Sequence, residues 1–314
     1  VDGVTRCLAR LLAHLREQGH EAVVLGPQSG LTHYETHPLV GTAGIPLVVY
    51  PGLKLNFLRP RFLRVIEEFN PDVIHVVEPI WLGAQVLLAM QLGGPGGAVV
   101  ASYHTNLPTY ATLFGFPWLE PIMWRFVRWL HRKCLLTACP SQSTADMLRS
   151  RGITSVRLWP RGVDLEMFGP HRRSHLRRVK WARRNESVVV LYVGRVSYEK
   201  NLMLLVEAFG QKSFLQPRLV FVGDGPARGP IEALCRRKGI DAYFEGHLSG
   251  VDLAEAYASA DIFAFPSFTE TFGQVILEAL ASGLPVVGLD AEGTRDLVAD
   301  NRTGMLLRKS HFHH

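Results

Sequence analysis

The chain has 314 residues, of which 47% are hydrophobic and 20% charged, with a formal net charge of +6 at neutral pH. That length fits about two domains with sizeable cores, and no apolar run approaches the roughly 18 to 20 residues that span a bilayer, so a soluble or peripheral protein is expected. Cys7, Cys134, Cys139 and Cys235 are too scattered for a zinc site and too few for a disulfide framework; they read as reduced core thiols of a cytoplasmic protein, or of one on the cytosolic face of a membrane.

In chain order, a turn at Gly3 feeds a helix over 4–18, then strands over 21–26 and 46–52 and a helix over 57–69. A strand over 72–79, a helix over 81–92 and a strand over 98–105 continue the alternation, placing Glu78 and His104 at strand ends. The segment 116–133 carries Leu119, Ile122, Met123, Phe126, Val127 and Leu130 at helical spacing, with Arg125, Arg128, Arg132 and Lys133 between or after them. Trp118, Trp124 and Trp129 add amphipathic rings, so two readings stand: a core helix with snorkelling arginines or a helix lying on a membrane surface. A strand over 135–141, a helix over 142–151 and a strand over 156–164 finish a first domain of residues 1–168.

The segment 169–186 concentrates Arg172, Arg173, Arg177, Arg178, Lys180, Arg183 and Arg184. It reads as a solvated linker helix, with contact to an anionic surface as the alternative. No stacking motif or recognition-helix pattern accompanies it, so nucleic acid is not expected as a partner. A second domain over 187–314 alternates again: strands over 188–194, 218–225, 243–246, 261–267 and 285–289, and helices over 201–209, 229–239, 251–260 and 272–283. A helical turn over 294–300 and the segment 305–307 follow. Aliphatic strands alternating with helices predict α/β architecture, two doubly wound Rossmann-like domains with parallel sheets facing across a cleft. The first domain lacks the expected opening strand and the second a closing helix, so the chain is expected to be a fragment cut at both ends, and the absence of a signal peptide carries no information.

Ligand chemistry in such sheets gathers at the carboxyl ends of the strands. Gly194, Arg195 and Lys200 follow one strand, Gly223 in the Gly-Asp-Gly-Pro turn follows the next, and Glu270 follows a third. Seven residues separate Glu270 from Glu278, and the amides of Phe272 and Gly273 between them are expected in the first turn of a helix. Unpaired amides at the positive end of a helix attract phosphate. Arg195 forks two bonds onto phosphate oxygens and Lys200 supplies a point charge; the bland alternative pairs Arg195 with Glu199 on the surface and leaves Glu270 and Glu278 as solvated or locally bonded carboxylates. No DxD-type carboxylate pair stands out to hold a metal, neither half shows the GxGxxG fingerprint of a dinucleotide oxidoreductase, and no lysine sits in a pyridoxal-binding setting.

Taken in order, DGVTR, SYHTN, LWPRGVD, GR followed by EKN, GDGP, the paired glutamates and ASGLPVV resemble a retaining glycosyltransferase of the GT-B fold, nucleotide-sugar family 4, over nearly the whole chain. SYHTNLPTYA, MWRFVRWLHR and VRLWPRGVDLEMF with its basic helix look most similar to the sulfoquinovosyltransferase-like and lipid mannosyltransferase-like branch. The resemblance implies that Arg195 and Lys200 hold the donor diphosphate and stabilise the leaving group, that Glu270 contacts the sugar hydroxyls, and that Phe272 and Gly273 offer amides to sugar and phosphate. It further implies that Glu278 binds the ribose, His104 lies by the donor sugar, and Gly3 belongs to an N-terminal loop approaching the phosphates; Gly194 and Gly223 shape the donor site, and Glu78 has a weaker claim to the acceptor. Such an enzyme moves a hexose or modified hexose, mannosyl or sulfoquinovosyl foremost, from a nucleotide-diphosphate sugar to a hydroxyl acceptor such as a membrane lipid, with no metal and no other cofactor. Retention is explained in the family by same-face attack assisted by the departing phosphate, which needs no protein nucleophile. A truncated, non-catalytic nucleotide-sugar-binding remnant is the competing expectation.

Overall fold

A computed structural model describes residues 3–46, 54–78, 81–94, 96–113, 115–182, 187–210, 217–268 and 270–308. The chain divides into two compact units: Val1–Pro140 with Ala145–Trp159, and Ser141–Thr144 with Pro160–His314. The division therefore falls at Trp159/Pro160 rather than after residue 168.

In the first unit, α1 (Gly3–Glu17) precedes β1 (Val24–Pro27), β2 (His33–Tyr34) and β3 (His37–Thr42), which form a small sheet in the order β1-β3-β2. A hairpin, β4 (Gly44–Pro46) with β5 (Lys54–Asn56), follows; from residue 47 onward the strand expected over 46–52 lies outside the described residues. Next come α2 (Pro60–Phe69), β6 (Val73–Val77), α3 (Leu82–Gln91), β7 (Ala98–Ser102), α4 (Leu107–Leu113), α5 (Glu120–His131), β8 (Leu136–Cys139), α6 (Gln142–Ser150) and β9 (Val156–Leu158). The strands β6 to β9 pair in sequence order, all parallel. Pro60 starts α2 where its missing N–H costs nothing, and Asn70 ends it in the left-handed conformation.

The helix expected over 116–133 begins only at Glu120, after a short turn of 3₁₀ helix at Pro117–Leu119. It is apolar on two faces. Trp124, Val127, Leu130 and His131 are buried, whereas Trp118, Ile122, Phe126 and Trp129 are exposed, so Ile122 and Phe126 are not core residues and Trp124 is. The reason is geometric: residues 124, 127, 130 and 131 share one stripe of the helix, and 122, 126 and 129 share another, with Trp118 in the turn that precedes it.

The second unit opens with α7 (His175–Trp181) and continues β10 (Val189–Val193), α8 (Leu202–Phe209), β11 (Arg218–Val222), α9 (Arg228–Lys238), β12 (Ala242–Gly246) and α10 (Gly250–Ala258). It ends with β13 (Ile262–Phe265), α11 (Gln274–Ala281), β14 (Val286–Leu289), α12 (Thr294–Leu297) and β15 (Gly304–Leu307). All six strands are parallel, in the order β12-β11-β10-β13-β14-β15. Strand order reverses between β10 and β13, and an open sheet of this kind binds ligands in the crevice outside that reversal. The apolar run of β10 has a reason on each side. Val189, Leu191 and Val193 pack with Trp181, Leu253, Tyr257 and Ile276, while Val190 and Tyr192 pack with Leu202, Val206 and Ile231.

The basic segment is not a solvated linker. Arg177 meets Glu245, Asp252 and Glu255 at 3.5, 3.0 and 3.5 Å, Arg178 pairs with Asp261 at 2.5 Å, and Lys180 reaches Glu245 at 2.7 Å. Trp181 is buried and donates its indole N–H to Glu245 at 2.9 Å. Burial alone would raise the Glu245 pKa, but hydrogen bonds from Lys180 and Trp181 outweigh it and hold the carboxyl below its ordinary range. Arg177, Arg178 and Lys180, among the charges that suggested an anionic partner, are thus engaged by the unit's own carboxylates; Arg183 and Arg184 lie outside the described residues.

Candidate active site

The two stretches beyond the reversal point, 194–201 after β10 and 266–273 after β13, carry the donor-side candidates. Gly194 leaves β10 at φ +152°, with Arg195 exposed beside it. Buried Tyr192 donates its hydroxyl to the Arg195 carbonyl at 2.9 Å, clamping this turn from beneath. Burial, with the negative charge of Glu270 and Glu199 nearby, pushes that phenol far up, so it stays a neutral donor. A 3₁₀ turn at Tyr198–Lys200 and left-handed Asn201 then lead into α8. Glu199 accepts from the Ser197 hydroxyl at 2.7 Å.

Lys200 and Glu270, 70 residues apart in sequence, meet here: Lys200 Nζ lies 3.1 Å from Glu270 Oε2. Both side chains are mostly sheltered, at 17% and 25% exposure, so the pair is only partly screened by solvent. A cation and a carboxylate set side by side at the reversal point are suited to phosphate oxygens and sugar hydroxyls respectively.

One expectation about this loop is corrected. Phe272 and Gly273 are not in the first turn of α11, because Gly273 is its N-cap, in the left-handed region at φ +88°, and the helix begins at Gln274. The Gly273 carbonyl already accepts from the amide of Ile276 at 2.8 Å. Phe272 is buried, and the Arg161 guanidinium lies 5.6 Å from its ring centroid. In addition, the glycines after β11 make room for the chain itself. A Cβ on Gly223, at φ +129°, would fall 2.0 Å from the Gly194 carbonyl oxygen, and one on Gly225 would fall 2.4 Å from that of Val196. The turn is pinned to the Arg195 loop by Val196 N–H to Asp224 O and Ala227 N–H to Val196 O, both 3.0 Å.

Glu278 sits inside α11, 2% exposed, and accepts from the Tyr257 hydroxyl at 3.0 Å. Tyr257, from α10, was not singled out in the sequence, and neither was Gly293. A Cβ there would lie 2.5 Å from the Glu270 carbonyl oxygen and 2.9 Å from the Phe272 nitrogen. Gly293 therefore supports the Glu270 loop from below, and the sequence signal for it is only one glycine after β14.

The first unit holds the other candidates and brings two of them, Glu78 and His104, together. Glu78, just past β6, has a left-handed backbone at φ +50°, and its Oε1 accepts the His104 amide at 2.9 Å. His104 is buried, and its Nε2 lies 2.9 Å from Ser102 Oγ. Gly3 is the first residue of α1 rather than part of a loop.

Known proteins are similar to this chain along both of its units. The sequence profile described as Glycosyltransferase Family 4 matches residues 1–167, and that described as Glycosyl transferases group 1 matches 175–311. A GDP-mannose-dependent alpha-mannosyltransferase of Mycobacterium tuberculosis (strain CDC 1551 / Oshkosh) is 39% identical over 100% of this chain and 82% of its own length. The sulfoquinovosyl transferase SQD2 of Arabidopsis thaliana is 36% identical over 97% of this chain and 60% of its own. Among solved structures, sucrose-phosphate synthase from Thermosynechococcus elongatus aligns with a TM-score of 0.80 at 22% identity, over 98% of this chain and 81% of that one. Anabaena HepE in complex with UDP-glucose aligns at 0.75 and 22%, over 98% and 82%. Those two share the fold, GT-B with Rossmann-like α/β domains. A match that runs through both units disfavours a non-catalytic remnant. The chain belongs to the glycosyltransferases of family 4.

Proposed function

We propose that this glycosyltransferase moves a hexose or modified hexose, mannosyl or sulfoquinovosyl foremost, from a nucleotide-diphosphate sugar to a lipid hydroxyl, with retention of configuration. The observation that carries the donor side is the Lys200–Glu270 pair, 3.1 Å apart beyond β10 and β13. As the sugar–phosphate bond breaks, positive charge grows on the sugar and negative charge on the diphosphate. Lys200 and Arg195 face the latter as fixed cations, with the amino end of α11 adding partial positive charge, and Glu270 orients the sugar hydroxyls. No metal is invoked. Glu278, held by Tyr257, is assigned to the ribose; His104 is assigned to the reacting sugar and Glu78 to the acceptor. The departing phosphate takes the acceptor proton, so no protein nucleophile is assigned.

The acceptor class rests on α5 and the turn before it. Trp118, Ile122, Phe126 and Trp129 are 65%, 56%, 40% and 40% exposed. The rings of Phe126 and Trp129 stack at 6.0 Å, and Lys133 Nζ lies 5.1 Å from the Trp129 ring centroid. Aromatic rings flanked by Arg125, Arg132 and Lys133 suit the boundary of an anionic membrane, where rings enter the headgroup layer and cations meet lipid phosphates. Among the described residues no helix is long and apolar enough to cross a membrane, so contact of this kind is peripheral. Relatives support a lipid acceptor by name, an alpha-monoglucosyldiacylglycerol synthase of Acholeplasma laidlawii at 26% identity among them.

The test is a thermal-shift screen of nucleotide sugars, followed by transfer assays on vesicles containing diacylglycerol or phosphatidylinositol. A donor at 100 times its Kd stabilises the folded chain by about 2.7 kcal/mol, and the donor found in this way should label a lipid. Binding with neither transfer nor hydrolysis would overturn the reading.

A further inference from the structure

The histidine assigned to the reaction is the end of a longer hydrogen-bonded chain in the first unit. Ser102 closes β7 and is fully buried. Its Oγ lies 2.9 Å from Nε2 of His104 and also 2.9 Å from Nε2 of His75 on the neighbouring strand β6. The strand register explains the meeting. His75 pairs across the sheet with Val100; Ser102 is two residues beyond Val100, and His104 two beyond Ser102, so all three side chains fall on one face of the sheet. Trp159 covers that face edge-on, its ring 5.5 Å from His75 and 6.2 Å from His104.

A serine hydroxyl has one proton and two lone pairs. It donates to one Nε2 only, so the other Nε2 must carry a proton and donate to the oxygen. With both rings neutral and the serine proton held within the cluster, one imidazole has its proton on Nε2 and the other on Nδ1. Burial lowers the His75 pKa, which keeps that ring neutral and in this scheme.

We propose that His75 is a positioning residue: through Ser102 it holds the His104 imidazole in the tautomer complementary to its own, and so decides which His104 nitrogen offers a proton to a bound ligand. A buried relay of this kind fixes both ring orientation and proton position before a substrate arrives, as the orienting partner of a catalytic or metal-bound histidine does. The catalytic consequence rests on the role proposed above for His104; the hydrogen-bonded chain does not.

The test reads the ligand-free protein. Histidine-selective 15N labelling and long-range 1H–15N correlation spectra report the tautomer of each ring, with the two signals assigned by their loss in His75→Phe and His104→Phe. One ring should be protonated on Nε2 and the other on Nδ1. His75→Phe keeps an aromatic ring against Trp159 but removes the hydrogen bond, so the His104 nitrogen shifts should move toward those of an exchanging mixture. Ser102→Ala should do the same. The same tautomer at both rings would overturn the proposal. So would His104 shifts unmoved in His75→Phe and Ser102→Ala while melting temperature falls, because packing alone would then explain the cluster. A confirmed relay in a protein with normal turnover after His104→Phe would leave the chain standing and overturn only the role of His104.

Discussion

Removing the Lys200 ammonium separates a structural ion pair from a catalytic one. At an effective dielectric of about 20, unit charges about 3 Å apart attract by roughly 5 kcal/mol, but desolvation and lost side-chain freedom offset most of this. For side chains at 17% and 25% exposure, the net loss on Lys200→Ala should be about 1 kcal/mol, or roughly 2–4 °C in melting temperature for a unit of this size. Turnover should fall far more. A fixed cation at the leaving diphosphate acts mainly in the transition state, and losing one such group typically costs about 100- to 1000-fold, or ~2.7–4 kcal/mol of barrier. Glu270→Gln should behave alike, since it removes the other half of the pair while keeping the shape of the side chain. Calorimetric melting and kcat at saturating donor, on the same preparations, read the two effects. A turnover loss under tenfold, or one that merely follows the loss of folded protein, would show that the pair only ties two loops together and would refute its assignment to the donor.

Three further outcomes are expected. Gly223→Ala places a Cβ 2.0 Å from the Gly194 carbonyl oxygen at φ +129°; it should destabilise the second unit by more than about 2 kcal/mol, and an unchanged melting temperature would show that the glycine serves a ligand instead. Replacing Trp118, Phe126 and Trp129 together by Ser should abolish binding to vesicles rich in anionic phospholipid while shifting the melting temperature little, because these rings are exposed; sedimentation with vesicles checks it. His131 is buried, its ring Nδ1 lies 2.9 Å from Thr137 Oγ1, and its pKa is lowered from 6.5 to about 4 by burial. The unfolded chain therefore takes up this proton first, so stability that is fully present above pH 6.5 is lost as pH falls toward 4, on the order of 3 kcal/mol from this group. Urea denaturation across that window should show a flatter slope in His131→Gln, and an unchanged slope would mean the ring is already charged in the folded chain.

Strand and helix identity was legible wherever local pattern and tertiary environment agree. The runs that became β10 and β11 are apolar, Arg218 at the start of β11 apart, because both faces of that sheet are covered, and the loops beyond them announce themselves by charged residues and glycines immediately after an apolar run. The two-residue β2 and the short α4 carry no such pattern, since their hydrogen bonds come from pairing or from about two turns of helix. Helix α5 misled for a related reason: two apolar stripes on one helix have the same periodicity, and only packing decides that Trp124 goes in and Phe126 stays out. In the candidate site, the charged residues were readable and their supports were not. Lys200 and Glu270 stand out as residue types at strand ends, whereas Tyr257 beneath Glu278, Gly293 beneath Glu270 and Ser102 beside His104 are ordinary residues in ordinary stretches. Each acts through a neighbour distant in sequence, and the neighbour is set by register. Sliding β6 by one residue against β7 would turn His75 to the other face of the sheet and break its contact with Ser102 without changing one amino acid. Groups that touch a ligand are constrained by their own chemistry, and so leave a mark in the sequence. Groups that aim them are constrained only by where the fold puts them, and they become visible only once strand pairing is known.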